Sequence, residues 1–237
     1  MEDTNYVTRV YTSPLDVDAQ AWDALLGTQA LSSPFMRHAY LAALHSSGSA
    51  CTDTGWAPHF IILESGGEMV AACAVYVKNH SYGEYVFDWA WANAYQQHGL
   101  PYYPKGVVAV PFTPVPGARL LARDAQAREA LVRTLVRWCD QLGLSSLHLL
   151  FAGDADVAAC ADAGLMLRHT VQFHWTNTEP GYADFAAFLA TLAPEKRKKI
   201  RQERRKVSDA GVTFRHAQGP GISPADWDFF YQCYERR

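Results

Sequence analysis

The pattern of apolar and polar positions in the first hundred residues predicts two helices followed by a sheet. One amphipathic helix is expected over residues 19–28, capped by Asp16 or Asp18, and a second should begin at Ser33 with Pro34 in its first turn. The apolar runs HFIILES and EMVAACAVYVK flank two glycines, which is typical of an antiparallel hairpin. Further strands are predicted at EYVFDW and GVVAVPFT, and the aromatic stretch WANAYQQHGLPYYPK between them is expected to form a surface loop.

The pattern changes after the fourth predicted strand, where helical and extended segments alternate. Residues 124–143 have helical periodicity, with Asp124 as the N-terminal cap and Gly143 at the predicted C-terminal end of the helix. LSSLHLLF is then predicted to be a short buried strand, ADVAACADAG a helix and MLRHTVQFHWTN a long closing strand. A mainly antiparallel meander followed by a strand–helix–strand unit indicates a mixed α/β sheet, of the α+β kind, flanked by helices.

A second unit is predicted to begin near residue 180. It should contain two helices separated at Pro194, a strand at VTFRHAQ and a last helix starting at Ser223 and Pro224. One strand and a few helices of this length do not enclose a core of their own. We therefore predict a first domain over residues 1–178 and a separate set of elements over 179–237. Either the chain is a fragment or these elements dock on the first domain.

Composition narrows the class of protein. Apolar residues make up 49% of the 237 positions and charged residues 19%, which is enough apolar sequence for a buried core and argues against disorder. The five cysteines include no CxxC pair, so they are expected to be thiols of a reducing compartment. The first ten residues lack the features of a signal peptide, and no apolar run is long enough for a transmembrane helix. We expect a soluble, cytoplasmic protein.

The densest group of polar residues lies between positions 76 and 95. If this segment were strand throughout, its even spacing would place one lysine, one histidine and two carboxylates on one face: Lys78, His80, Glu84 and Asp88. Such a group suits general acid–base catalysis, or anion binding by the two basic residues. The alternative is a set of salt bridges and turn hydrogen bonds at the end of a hairpin.

A second candidate segment, PYYPKG, places Tyr102, Tyr103 and Lys105 beside two prolines. Prolines reduce the entropy cost of ordering a loop, and ordered loops either line ligand sites or cap the edge of a sheet. The sequence has no HExxH, P-loop, GxGxxG or GxSxG motif. No metal site is therefore predicted, and nucleotide hydrolases, dinucleotide oxidoreductases and serine hydrolases lose support.

Charge is concentrated in one segment near the C-terminus. EKRKKIRQERRK carries eight Lys or Arg and two Glu, a local charge of +6, whereas the whole chain has a net charge of −3. As a helix it would align Arg197, Arg201, Arg204 and Arg205 in one cationic stripe. The stripe is either a solvated helix face or a binding surface for phosphate, nucleic acid or an acidic partner.

Four strings together resemble a known family: PFMRHAYLAALHSSG, YVKNHSYGEYVFDWAWANAYQQHGLPYYPK, VPFTPVPGARLL and LAPEKRKKIRQERRKVSDAGVTF. They are similar to the FemAB-like family of predicted bacterial N-acyltransferases, relatives of the Fem enzymes that add amino acids to peptidoglycan precursors. The resemblance implies two GNAT-like domains in tandem, one over residues 1–178 and the truncated start of a second over 179–237. It also implies aminoacyl-tRNA or acyl-CoA as the donor, and a small molecule or cell-wall precursor as the acceptor.

The chain departs from the acyl-CoA loop of GNAT enzymes, Q/R-x-x-G-x-G/A, which holds a pyrophosphate on backbone N–H groups. The corresponding stretch, PVPGARLLARD, has only Gly117, so acetyl-CoA binding is not expected and the fragment is expected to be inactive alone. For acyl transfer we predict Asp88, Glu84 or His80 as the proton acceptor. The predicted substrate-binding residues are Lys78, Tyr102, Tyr103, Lys105, Arg119, Arg197, Arg201 and Arg204.

Two other functions remain open at this point. One is a non-catalytic module of degenerate GNAT fold that recognises a cell-wall precursor. The other is contact with RNA, including tRNA, through the basic helix. The sequence does not identify the acyl donor, the acceptor or the oligomeric state.

Overall fold

The computed structural model describes residues 6–236. They fall into two compact units, one ending at Val171 and one beginning at Gln172. The assignment of 1–178 and 179–237 to two GNAT-like domains stays a prediction. All five cysteines carry free thiols. Within residues 6–236 no helix combines the length and apolarity that a membrane span requires.

The first unit is built on one six-stranded sheet. Its strands are β1 (Val7–Tyr11), β2 (Ala57–Ser65), β3 (Glu68–Lys78), β4 (Lys105–Val108), β5 (Leu121–Ala122) and β6 (Leu147–Leu149). The order across the sheet is β1-β2-β3-β4-β6, and β5 pairs with β3 further along the edge that β4 occupies. All pairs are antiparallel except β4 with β6, which are parallel. The predicted mixed α/β fold class is confirmed.

Helices cover both faces of this sheet. They are α1 (Ala19–Gly27), α2 (His38–Ser46), α3 (Trp89–Gln97), α4 (Ala125–Gln141) and α5 (Asp154–Asp162). Because side chains alternate along a strand, β2 contributes Phe60 and Ile62 to a core with α1 and Ile61 and Leu63 to a core on the other face, with α4. The central strands are therefore apolar on both sides, as HFIILES and EMVAACAVYVK predict.

Several elements match the prediction closely. The hairpin of β2 and β3 turns at Gly66 and Gly67, both with positive φ. The Asp18 carboxylate caps α1 and the Asp124 carboxylate caps α4, each accepting backbone N–H groups of the first turn. Ser33 caps a short 3-10 turn over Pro34–Met36, and α2 begins only after it.

Three predicted strands are wrong. EYVFDW is a turn because Gly83 and Tyr85 have positive φ, 81° and 58°, which bends the chain away from an extended path. MLRHTVQFHWTN and VTFRHAQ have the composition of strands but pair with no neighbouring strand over the described residues, and Phe173 is 99% exposed. Conversely, part of the expected loop forms α3, which ends before Gly99 at positive φ.

Among residues 172–236, the regular elements of the second unit are all helices. They are α6 (Phe185–Ala190), α7 (Pro194–Asp209) and α8 (Pro224–Glu235), and the Ser223 hydroxyl caps α8 as predicted. The basic helix α7 buries none of its residues. One of its arginines has an intramolecular role, since Arg197 donates to the carbonyl oxygens of Ala190 and Leu192 and so satisfies the C-terminus of α6.

Candidate functional site

Two buried lysines lie next to each other on neighbouring strands of the sheet in the first unit. Lys78 is the last residue of β3 and Lys105 the first of β4, and the two are paired directly in the antiparallel register. Both side chains are 0% exposed. Lysine is almost never fully buried unless its charge is compensated, so acidic partners are expected here.

The compensating carboxylates come from the turn that follows β3. Lys105 Nζ donates to Glu84 Oε2 at 2.8 Å, to Asp88 Oδ2 at 2.6 Å and to Ser81 Oγ at 2.8 Å. The Tyr102 hydroxyl also donates to Asp88 Oδ2, at 2.7 Å. These five residues are called the Lys105 cluster below. The Tyr103 hydroxyl reaches its edge, 2.8 Å from Ser81 Oγ.

The two carboxylates differ in their pKa values. Burial raises the pKa of Glu84 above its usual range, and the hydrogen bond from Lys105 offsets this only in part. Burial would also raise the pKa of Asp88, but hydrogen bonds from Lys105, Tyr102 and Ser81 outweigh it and lower that pKa. Burial and the adjacent Asp88 raise the pKa of Tyr102, so its phenol stays protonated.

Lys78 lies beside the cluster with fewer partners. Its Nζ is 3.6 Å from the centre of a Trp56 ring and donates to the Tyr82 carbonyl oxygen at 3.1 Å. Burial lowers the pKa of Lys78 to about 8, and the nearby charge of Lys105 adds to this effect. Lys78 therefore holds the turn through a backbone carbonyl rather than through a carboxylate.

His80 points away from the Lys105 cluster. Its ring packs on Gly55, where an added Cβ would lie 2.1 Å from Nε2. Its Nδ1 accepts the Tyr82 backbone N–H at 3.2 Å. Burial and the charge of Lys78 lower the pKa of His80, so the ring is neutral near pH 7.

A cavity of about 550 Å³ adjoins the Lys105 cluster on the side of Tyr102. Its walls are α3, β6, α5, the segment Val86–Phe87 and residues 165–170. Most of its lining is aromatic or aliphatic, with Tyr102, Ser146, His148 and Arg168 among the polar members. Cavities of this size and character are typical small-molecule sites.

His148 is a titratable residue of this cavity whose pKa is lowered. Its ring centre lies 6.1 Å from that of Tyr102, and its Nε2 is 2.8 Å from Ser146 Oγ. Burial lowers the pKa of His148 to about 4, and the charges of Lys105 and Arg168 act in the same direction. The imidazole is therefore neutral at physiological pH and has a lone pair available.

Arg119 lies elsewhere, in the loop before α4. Its guanidinium donates to the carbonyl oxygens of Leu150 at 3.0 Å and Val115 at 2.5 Å. The backbone N–H groups of Arg119 and Leu120 donate to Asp156 Oδ2 at 2.6 and 3.2 Å. Asp156 is also paired with Arg128 at 3.1 Å. An internal carboxylate thus occupies N–H groups of the PVPGARLLARD loop.

Two further arginines of α7, Arg201 and Arg204, differ in their contacts. Arg204 stacks on the Phe185 ring, with its guanidinium carbon 4.5 Å from the ring centre. Arg201 is exposed and has no hydrogen bond or ion pair within residues 6–236. The structure therefore brings together Glu84, Asp88, Tyr102, Tyr103 and Lys105, with Lys78 alongside, and leaves the four predicted arginines in other places.

Sequence reasoning missed the cavity and its histidine. His148 was predicted only as part of a buried strand, LSSLHLLF. A usable signal was present, since a histidine between two leucines on a short strand next to two serines is a polar group with a hydrogen-bond partner at hand. The sequence does not predict the wall formed by α3, because the composition of that segment favours a loop. Over the described residues, no three His, Cys, Asp or Glu side chains group as metal ligands do.

Comparison with known proteins places the chain in a family. Residues 13–237 match the FemAB-like family, described as peptidoglycan biosynthesis/recognition. The chain belongs to the FemAB-like family. The resemblance seen in its sequence is thereby confirmed. No curated protein sequence matches it.

Solved structures similar to this FemAB-like chain include three acetyltransferases. One is ribosomal-protein-alanine N-acetyltransferase from Brucella melitensis biovar Abortus 2308, with 12% identity and a TM-score of 0.40, covering 73% of this chain and 99% of that one. An aminoglycoside N-acetyltransferase, AAC(6')-Iy in complex with CoA, has 11% identity and a TM-score of 0.43 over 73% and 96% of the two chains. An aminoglycoside acetyltransferase from an uncultured soil metagenomic sample, in complex with trehalose, has 11% identity and a TM-score of 0.38 over 74% and 99%.

Proposed function

We propose that this FemAB-like chain takes part in acyl transfer to the amine of a cell-wall precursor, and that the reaction uses the cavity beside Tyr102 and His148. The family match supports a role in peptidoglycan biosynthesis or recognition. The observation that supports a catalytic role is the neutral His148, which lies in a largely apolar cavity of small-molecule size.

In this reaction the amine nitrogen attacks the acyl carbon, so a C–N bond forms and the bond to the donor's leaving group breaks. The nitrogen becomes acidic as it forms this bond and must lose a proton. When His148 Nε2–H donates to Ser146 Oγ, Nδ1 keeps its lone pair and accepts that proton. The leaving group carries the electron pair away.

The Lys105 cluster has a positioning role in this proposal. Glu84 and Asp88 are 3% and 1% exposed, and Lys105 holds one oxygen of each. A group so enclosed does not meet an incoming amine. Asp88 instead immediately precedes α3 and accepts the Tyr102 hydroxyl, so the cluster fixes two walls of the cavity.

The loop before α4 bears on the choice of donor. A pyrophosphate needs free backbone N–H groups, but Asp156 takes those of Arg119 and Leu120 and Asp124 takes that of Ala127 at the start of α4. A second anion there would meet two carboxylates. We therefore favour aminoacyl-tRNA over acyl-CoA as the donor.

The same occupied loop also favours a second candidate, a non-catalytic module that recognises the cell-wall precursor. The two candidates differ in turnover. The experiment incubates the protein with a lysine-containing peptidoglycan precursor and either radiolabelled aminoacyl-tRNA or radiolabelled acetyl-CoA, and follows label in the precursor. Transfer from aminoacyl-tRNA supports the proposal. Precursor binding without transfer from either donor would support the recognition module instead.

A further inference from the structure

We infer that the cavity selects an amphiphilic anion: an apolar body that ends in one carboxylate or phosphate, held by Arg168. This deepens the function proposed above by naming the class of molecule that occupies the same cavity. It rests on the charges of the cavity wall and on the contacts of Arg168.

The wall of the cavity carries charge of one sign. Arg168 contributes a permanent positive charge, and no Asp or Glu belongs to the lining. Glu84 and Asp88 lie behind Tyr102 and are compensated by Lys105, and Asp156 of α5 is paired with Arg128. A cationic ligand would meet uncompensated repulsion in this space, whereas an anionic ligand would meet one complementary charge. The acceptor amine of the proposed reaction enters uncharged, because its attack on an acyl carbon requires a free lone pair.

Arg168 is available for such a contact. Its guanidinium lies over the Trp91 ring, 5.1 Å from the ring centre. Stacking uses the flat face of a guanidinium and leaves its N–H edge free for two parallel hydrogen bonds to a carboxylate or phosphate. Among residues 6–236 no carboxylate forms an ion pair with Arg168.

The remaining side chains of the cavity wall indicate that the body of the ligand is apolar. This part of the wall is contributed by aliphatic and aromatic side chains from three directions: Phe87 and Trp91, Leu149 and Val157, and Leu165 and Met166. Only a few polar groups interrupt this surface, among them Ser146, His148 and Tyr102. An apolar chain or ring system therefore gains most by entering, with its anionic end at Arg168.

The test measures binding of four ten-carbon probes to the purified chain by calorimetry, below their micellar concentrations: decanoate, decyl phosphate, decanol and decylammonium. We expect at least one anion to bind about tenfold or more tightly than decanol, and decylammonium to bind most weakly. The better anion identifies the head group. Equal affinities for the four probes, or no detectable binding of either anion, would overturn the inference.

Variants assign the preference to Arg168. Arg168→Gln should remove the difference between anion and alcohol, and Arg168→Lys should keep part of it. Arg137→Gln, an exposed arginine of α4 outside the cavity, is the matched control and should leave all affinities unchanged. Persistence of the anion preference in Arg168→Gln would also overturn the inference.

The binding result is separate from the transfer assay. An anion preference without acyl transfer would leave the inference standing and remove the proposed reaction. Acyl transfer without any anion preference would support the proposed reaction and overturn the inference about the anion.

Discussion

Lys78 and Lys105 face each other as directly paired residues of β3 and β4, and both are completely buried. Like charges opposite one another on antiparallel strands destabilise a sheet. The turn after β3 offsets this by supplying Glu84 and Asp88, and both carboxylates bind Lys105. The pair is therefore unequal: Lys105 holds two acids, and Lys78 holds one backbone carbonyl.

The first prediction follows from this inequality. Lys105→Met would leave two buried carboxylates without their cation and should lower the free energy of unfolding by about 3–5 kcal/mol. Lys78→Met removes a buried amine whose only donated hydrogen bond among residues 6–236 goes to Tyr82, and should change stability by about 1 kcal/mol or less. Urea denaturation of the two variants and the wild type measures both values. Similar losses of unfolding free energy in the two variants would contradict the conclusion that Lys105 alone compensates Glu84 and Asp88.

A second prediction concerns the turn that carries Glu84. Gly83 has φ of +81°, and an added Cβ would lie 2.7 Å from the Phe112 ring. Gly83→Ala should therefore combine backbone strain with a steric clash and cost clearly more than the 1–2 kcal/mol expected from positive φ alone.

Gly99→Ala is the matched control for this prediction. Gly99 also has positive φ, +67°, but apart from its own chain neighbours no described residue has an atom within 4 Å of its added Cβ. It should show the backbone cost only. Equal thermal destabilisation of the two variants would mean that the turn relaxes around Phe112.

Part of the site could be predicted from the sequence. The polar residues at 78, 84 and 88 and the segment PYYPKG stand out because lysines and carboxylates next to apolar strands need partners. The structure brings them together, but through a turn rather than along one strand face. Period-2 spacing groups Lys78, Glu84 and Asp88 for a reason that does not hold, since β3 ends at Lys78. The same spacing also includes His80, which packs on Gly55 instead.

What the sequence could not supply is the tertiary setting. His148 becomes notable only when β6 is placed beside β4, because its lowered pKa depends on burial and on Lys105 from another strand. The role of Asp156 likewise depends on contact between α5 and a loop more than thirty positions earlier, at Arg119. Long-range contacts of this kind leave no local pattern.

The third prediction tests Asp156. Asp156→Asn weakens the acceptor of two buried N–H groups and leaves Arg128 without its ion pair, so we expect a loss of about 3 kcal/mol or more in unfolding free energy. Asp154→Asn, an exposed position in the same helix turn, should cost less than about 1 kcal/mol. Chemical denaturation of both variants compares them. Equal effects would show that the carboxylate is not needed to hold the loop.

The fourth prediction concerns acid stability. The pKa of His148 is about 4 in the folded chain against an ordinary value of 6.5. Between these values the unfolded chain takes up a proton that the folded chain does not, so stability should fall as pH decreases from 6.5 to 4. The slope from this group is at most about 1.4 kcal/mol per pH unit.

His148→Gln should flatten that part of the stability profile, whereas His98→Gln, an exposed position after α3, should leave it unchanged. Denaturation midpoints measured at half-unit pH intervals test this. A wild-type profile that His148→Gln does not alter would contradict the lowered pKa.

The most direct test of the account is the single-turnover rate of acyl transfer to the precursor amine in wild type, His148→Gln and His98→Gln. If His148 accepts the proton of the attacking amine, its replacement should slow transfer by about 10²–10⁴-fold, with precursor binding preserved. His98→Gln should react at the wild-type rate. Equal rates in His148→Gln and wild type would contradict the claim that the reaction takes place in this cavity.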